Sequence, residues 1–218
     1  MYEPWRNCSP RWEAALRACE RLDGQTHDLI ISPPASTDEV EAIEATLGLR
    51  LPESFRTVLL EFSAHIDVSW FLPSYVELPE PLRGIFCGQC NWNLNSLSGM
   101  EESRQSWIEV CFPNPDDPDD AVWHDKLSFL EVGNGDQLAI NMKKDESPFV
   151  TYLSHELDEM HGWRLGPDFI DFVNKWSLLG CSGPEDWQFA PFVTDRISGI
   201  DPESENARLW RSWFGLEI

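Results

Sequence analysis

The chain has 218 residues, of which 42% are apolar, and its 38 acidic and 16 basic side chains give a formal net charge of −22. That apolar content is enough for a folded core, so it excludes disorder over most of the length. The charge argues against binding to nucleic acid or to anionic lipid, because both require basic surface, and it favours a basic partner.

The six cysteines are too few for a disulfide framework in a chain of this length. The first residues lack the apolar run of a secretory signal, and no stretch approaches the roughly 18 apolar residues of a membrane span. We therefore expect a cytoplasmic protein with reduced thiols.

The first quarter of the chain predicts two helices. Residues 10–22 place apolar side chains at helical spacing, and two prolines within residues 32–35 then favour a non-helical connector. Ser36 and Glu39 form the S-x-x-E pattern of a capping box ahead of a second amphipathic run, which Gly48 is suited to end.

The middle of the chain mixes predicted helices with short extended runs. A third helix begins near Pro52 and carries a buried stripe at i, i+3, i+4, i+7 spacing. Short apolar runs that suggest strands or extended loops follow at residues 69–72, 83–87 and 92–97. Residues 101–110 predict a fourth helix, with a buried side formed by Trp107, Ile108 and Cys111. Residues 113–120 (PNPDDPDD) predict an extended polar loop.

The strongest strand signal is a hairpin. Residues 126–132 and 137–142 predict two strands, because the link Gly-Asn-Gly-Asp at residues 133–136 tolerates the positive φ of a tight turn. Residues 149–153 are β-branched and aromatic and predict a third strand.

Two further helices are predicted near the C-terminus. The first begins after residues 166–168, and the second lies near residues 202–214, where a Trp-rich face is expected to dock on the body of the protein. Because helices come first, strands second and helices last, we predict an α+β fold rather than a parallel α/β fold. We expect a single domain over residues 1–218.

Two local motifs could carry chemistry. Cys87 and Cys90 have C-x-x-C spacing, but a zinc site usually needs a second pair and a redox motif usually lies beside a βαβ unit, so incidental thiols are the simpler interpretation. The acidic residues of the loop at 113–120 could form a solvated loop, a protein-contact surface or a calcium site, although the EF-hand order is missing. We predict no metal and no cofactor.

The remaining sequence does not single out an active site. His155 and His161 are six positions apart rather than four, so on a helix they would point to different faces. The sequence lacks the marks of nucleophile-elbow hydrolases and P-loops, and its many carboxylates identify no particular glycosidase pair. Core packing explains the 11 tryptophans most simply, although a Trp rim beside an acidic cleft would supply anchors for a protein partner.

Four segments carry a family resemblance. They are PASTDEVEAIEATLGLRLPESFRTVLLEF (34–62), Trp92 followed by Glu101 and Glu102, LSFLEVGNGDQLAI (127–140), and GPDFIDFVNKW (166–176). In this order they resemble the SUKH superfamily, the group of the yeast cell-wall-synthesis regulators and many bacterial immunity proteins. The LG-x-x-LP helix pair followed by the GNGD hairpin is the most specific part of the resemblance.

The resemblance implies an antiparallel sheet flanked by helices over roughly residues 30–180, with an added N-terminal helix (1–30) and a C-terminal helical tail (181–218). It also implies a non-enzymatic binding role. The chain departs from the family pattern after the second family helix, where it reads Ser63-Ala64-His65. The two additions could cover or extend the partner surface.

The leading hypothesis is a bacterial immunity protein that binds and neutralises a cognate toxin with a basic domain, such as a nuclease or deaminase. The alternatives are a regulatory or scaffold module of the same fold without a toxin partner, and then an enzyme. The predicted partner contacts lie near the hairpin and are acidic or aromatic: Trp70, Trp92, Glu101, Glu102, Asp116, Asp117, Asp119, Asp120 and Asp136. For Asp136, a turn residue that bonds its own backbone is an equal alternative. The sequence leaves the oligomeric state open.

Overall fold

A computed structural model of the chain describes residues 4–216. After a short 3-10 turn at Pro4–Asn7, helix α1 (Cys8–Arg21) follows, which confirms the helix predicted at residues 10–22. Its buried positions recur every three or four residues, as expected for a helix with one face on the core. They are Cys8, Trp12, Ala15, Ala18 and Cys19.

The first sheet has four antiparallel strands: β1 (Gln25–Thr26), β2 (Ile30–Ile31), β3 (His65–Phe71) and β4 (Cys87–Asn93). Strand β3 is central, since it pairs with β1 and β2 along one edge and with β4 along the other. The extended runs predicted at 69–72, 83–87 and 92–97 overlap only the ends of β3 and β4. Burial alternates along most of both strands, so one face of this sheet lies on the core and the other is more exposed.

The two helices between β2 and β3 form as predicted. The capping box at the start of α2 (Thr37–Leu47) is present, because Ser36 Oγ accepts the Glu39 N–H at 3.3 Å and the Glu39 carboxylate accepts the Ser36 N–H at 2.8 Å. Gly48 ends the helix in the left-handed region at φ 67°. Helix α3 (Glu53–Glu61) follows after a short link.

Helix α4 (Leu97–Val110) starts four residues earlier than predicted, and its buried side is different. Leu97 and Arg104 are its buried residues, whereas Trp107 and Ile108 are half-buried. Cys111 is exposed, so its predicted place on the buried side is wrong. The helix ends at Val110, and Cys111 lies in the turn that leads away from it.

The second sheet confirms the hairpin. Strands β5 (Lys126–Glu131) and β6 (Gln137–Asn141) pair antiparallel, and β7 (Val150–Leu153) and β8 (Arg164–Gly166) complete the order β5-β6-β7-β8. Every residue of β6 and β7, and every residue of β5 before Glu131, is buried. Neither face of these three strands is therefore open to solvent.

Three helices close the fold: α5 (Phe169–Leu178), α6 (Asp186–Phe189) and α7 (Glu205–Phe214). The predicted docking of the Trp-rich tail is confirmed, since Trp210 is fully buried and its Nε1 donates to the Leu179 carbonyl oxygen at 2.9 Å. Phe214 packs on Trp70 with ring centroids 4.7 Å apart. One hydrophobic core thus extends from α1 through both sheets to α7.

The architecture is α+β, as predicted, with antiparallel sheets and flanking helices. Within residues 4–216, no helix has both the length and the apolar content that crossing a bilayer would require.

Candidate partner-binding surface

The hairpin carboxylate Asp136 is fully buried. It accepts hydrogen bonds from the Tyr152 hydroxyl at 2.6 Å, from the His155 backbone N–H at 2.8 Å and from the Asn134 side-chain amide at 2.8 Å. His155 Nδ1 lies 2.7 Å from the same carboxylate. A buried charge needs such donors, so Asp136 fastens the turn to β7 and to the loop after it. It offers no surface to a partner, and its bonds reach well beyond its own backbone.

The phenol of Tyr152 remains a donor in this arrangement. Burial, together with the adjacent Asp136 carboxylate, raises the pKa of Tyr152 well above its usual value. The hydroxyl therefore keeps its proton at physiological pH and holds the carboxylate in place.

The segment from Ser154 to His161 is a loop of turns, so the helix considered for its two histidines does not form. Ser154 Oγ accepts the backbone N–H groups of Glu156 (3.2 Å) and Asp158 (3.1 Å). Local bonds of this kind compete with helix formation. His161 Nδ1 accepts the Ser154 N–H, so its Nε2 carries the proton and donates to the Asp119 carbonyl oxygen at 3.0 Å.

The acidic loop is folded into turns rather than extended. Asp117 accepts the N–H groups of Asp119 (2.9 Å) and Asp120 (3.3 Å), and Asp120 accepts the Asn114 N–H at 2.9 Å. These two carboxylates therefore hold the loop together. Asp116 and Asp119 are exposed, so their carboxylates are accessible to a partner.

The two glutamates of α4 that were predicted as partner contacts also differ in exposure. Glu101 is mostly buried and forms a two-point ion pair with Arg104, at 2.5 Å and 2.9 Å. Arg104 also donates to the Trp123 carbonyl oxygen and so ties α4 to the chain beyond the acidic loop. Glu102 is exposed. Of this pair, only Glu102 presents its carboxylate to solvent.

The two predicted aromatic contacts are core residues. Trp70 and Trp92 are 0% and 1% exposed, and their indole N–H groups donate to the carbonyl oxygens of Gly180 (2.8 Å) and Ser63 (3.0 Å). Both lie on the inner face of the first sheet, where alternation directs even-numbered residues of β3 and β4 inward. We therefore leave Trp70, Trp92 and Asp136 out of the partner surface.

A small hydrophobic cluster joins α4, the segments on either side of the acidic loop and the second sheet. It consists of buried and half-buried side chains of α4, the acidic loop and the sheet: Trp107, Ile108, Phe112, Val122, Trp123, Ala139 and Leu153. The ring centroids of Trp107 and His155 lie 4.9 Å apart. His155 in turn contacts the turn of the hairpin. We call the exposed carboxylates among the predicted contacts, Glu102, Asp116 and Asp119, the acidic patch.

Two further carboxylates were missed by the sequence analysis. Burial raises the pKa of Glu185 and of Asp186, and the neighbouring carboxylates of Asp136 and Asp158 raise both further. One Glu185 oxygen is buried and has no hydrogen-bond partner among the described residues. The only local signal was a second capping box, from Glu185 to Gln188, which identifies a helix start and not a charge cluster.

The C-x-x-C pair lies on β4, where a spacing of three places Cys87 and Cys90 on opposite faces of the strand. Both thiols are free, and burial raises the pKa of each. This placement does not suit a shared metal ion or a dithiol, and it fits the simpler interpretation of the pair as packing residues.

Comparison with known proteins gives one family match. The family model described as the SMI1 / KNR4 family (SUKH-1) matches residues 34–175, which is more than half of the chain. The matched region begins just before the capping box of α2 and ends within α5, so α1 and the C-terminal helices lie outside it. A search of the curated proteins found no match.

Proposed function

Because the chain belongs to the SMI1/KNR4 family (SUKH-1), whose members are in general immunity proteins or regulators, we propose that it is a non-enzymatic immunity protein. In this proposal it binds and neutralises a protein toxin with a basic surface in the bacterial cytoplasm. The observation that carries the proposal is the family match over residues 34–175.

The net charge of the chain supports a partner with a basic surface. A toxin that acts on nucleic acid needs a basic cleft, and a chain with a net charge of −22 is complementary to such a cleft. Long-range attraction also speeds encounter, which suits a protein that must capture a toxin before it acts. The acidic patch is the part of the surface that we assign to this steering.

The proposal is tested by co-expression. The C-terminal domain of the large reading frame next to this gene would be produced with and without the chain, and growth and co-purification would be measured. We expect toxicity that the chain relieves and a complex whose affinity falls with salt. Toxicity that persists, or a domain that is harmless alone, would instead favour the second candidate, a regulatory or scaffold module of the same family.

The role of the acidic patch has its own test. Asp116→Lys with Asp119→Lys should slow association with the toxin domain about tenfold at low salt and flatten its salt dependence, because steering depends on local charge. The matched control is Glu61→Lys with Glu77→Lys, which changes the net charge equally at two exposed positions elsewhere. Equal association rates for the two double variants would remove the patch from the encounter.

A further inference from the structure

The outer face of the first sheet differs from the rest of the surface. Odd-numbered residues of β3 (65–71) and of β4 (87–93) project from this face, because directly paired residues share a side of the sheet. Of these eight positions Ser69 and Cys87 are buried, and we call the other six the open face. Charged residues make up 25% of the chain, but Asp67 is the one formally charged residue among these eight.

The one charge on this face is the carboxylate of Asp67, and its other side chains are uncharged or apolar. The open face combines amide side chains with an aromatic one, Phe71, which is 39% exposed. Ile30 of β2 pairs with Asp67 across the sheet and is 41% exposed, so it extends the same face with an apolar group. Depletion of charge together with exposed aromatic and apolar groups is the composition of the centre of a protein interface.

A cleft on this face presents acceptors. It lies at the end of this face, has a volume of about 130 Å³ and is lined by His65, Asp67, Asn91 and Asn93 together with Trp92, Ser96 and Met100. The Oδ1 atom of Asn91 is buried and finds no hydrogen-bond donor among the described residues. Asp67, directly paired with Asn91, adds a carboxylate beside it. The Asp67 carboxylate in its lining makes the cleft favour a group that brings N–H donors and positive charge.

We propose that the open face is the docking site for the basic surface of the toxin, with an Arg or Lys side chain of the partner in the cleft at Asp67 and Asn91. This inference rests on the proposed function and places toxin binding on the open face. Ile30, which pairs directly with Asp67, supplies an apolar contact beside the cation, and Phe71 adds a second apolar contact farther along β3. A second copy of this chain is a poor occupant, because each copy would bring its own net charge of −22.

The open face and the acidic patch then have separate tasks. Exposed charges away from the interface centre mainly change the association rate, whereas buried contacts mainly change the dissociation rate. Variants of the open face should therefore speed dissociation and leave association nearly unchanged, in contrast to variants of the acidic patch.

The experiment measures binding kinetics with the toxin domain used in the co-expression test. We expect Phe71→Ser to weaken binding at least tenfold and Asp67→Asn at least fivefold, both through faster dissociation. The matched controls are Ile197→Ser, which removes a side chain that is 72% exposed elsewhere, and Glu77→Gln. Each control should stay within twofold of the unmodified chain, and thermal unfolding should show that all four variants fold.

The other outcomes distinguish a failure of this inference from a failure of the proposed function. If the unmodified chain binds the toxin domain and the open-face variants bind equally well, this inference fails and the proposed function stands. If the unmodified chain binds no such domain, the proposed function fails and the inference fails with it. If light scattering shows a dimer of the chain alone that Phe71→Ser dissociates, the open face belongs to a second copy and the inference is overturned.

Discussion

The two sheets differ in how many of their faces are covered. The residues of β6 and β7 are buried throughout, so both faces of the second sheet lie inside the protein there. Strands β3 and β4 of the first sheet carry buried residues on one face, and on the other face all residues but Ser69 and Cys87 are partly exposed. An antiparallel sheet can adopt either arrangement, and which one it adopts decides what its polar residues are free to do.

Most polar side chains of the second sheet are bonded within the protein, although the Asn141 Oδ1 atom of β6 is buried and has no donor among the described residues. Ser128 donates to the Gln137 side chain at 2.6 Å, and Gln137 donates in turn to Ser103 at 3.2 Å. Asp136 accepts several donors in the same region. On the first sheet, the Asn91 Oδ1 atom likewise has no donor among the described residues. Because buried polar groups need hydrogen-bond partners and only the first sheet has an open face, that face is where a partner can supply them.

The largest expected difference in stability lies between two neighbouring residues on opposite faces of β3. Trp70→Ala should lower the free energy of unfolding by about 3–5 kcal/mol, because it removes a fully buried ring that packs against Trp210 and Phe214. Phe71→Ala should cost about 1 kcal/mol or less, since that ring is partly exposed. Urea denaturation measures both. Similar losses for the two variants would mean that the outer face is packed after all.

A second pair of variants compares the stability contributions of one carboxylate from each sheet. Asp136→Asn should destabilise the fold by about 2–3 kcal/mol, because the hydrogen bonds from Tyr152 and His155 would lose their charged acceptor. Asp67→Asn on the open face should change stability by no more than about 0.5 kcal/mol. Thermal unfolding of both variants provides the measurement. A larger loss at Asp67 than at Asp136 would reverse the assignment of structural and binding roles.

The smallest effect concerns pH. The pKa of Glu185 is raised in the fold, so between its unfolded and folded pKa values the folded chain binds more protons and its stability falls as pH rises. Glu185→Gln should therefore be slightly more stable than the unmodified chain at pH 7, within the roughly 0.5 kcal/mol typical of surface changes. The difference should vanish below roughly pH 4, where the carboxyl is protonated in both the folded and the unfolded chain.

The control for that measurement is Glu77→Gln, which removes an exposed carboxylate from a loop. As an exposed substitution, it should leave the free energy of unfolding at pH 7 within about 0.5 kcal/mol of the unmodified chain. A Glu185→Gln variant that is less stable than the unmodified chain at pH 7 would contradict the idea that its charge is unfavourable in the fold.

Local signals predicted the elements that depend on nearby residues. The capping box from Ser36 to Glu39 and the turn at residues 133–136 each involve bonds within a few positions, and both form. Strands β1 and β2 were missed, because two residues each are too short for a periodic pattern and exist only through pairing with β3.

The candidate site was less predictable from the sequence, because it depends on contacts between residues far apart in the chain. The burial of Asp136 follows from donors on Tyr152 and His155, which are 16 and 19 positions away. Glu102 and Asp116 are exposed, whereas their neighbours Glu101 and Asp117 are half-buried, although the members of each pair are chemically alike. Acidic character is a property that the sequence shows directly, but tertiary contacts decide which carboxylates reach solvent.

The most direct test of the central claim is hydroxyl-radical footprinting of the chain, free and bound to the toxin domain. We expect oxidation of Phe71 and Ile30 to fall severalfold in the complex, while oxidation of the exposed Ile197 stays unchanged. Protection confined to Val110 and Leu157, with Phe71 and Ile30 oxidised as in the free chain, would contradict the claim and move the interface away from the open face.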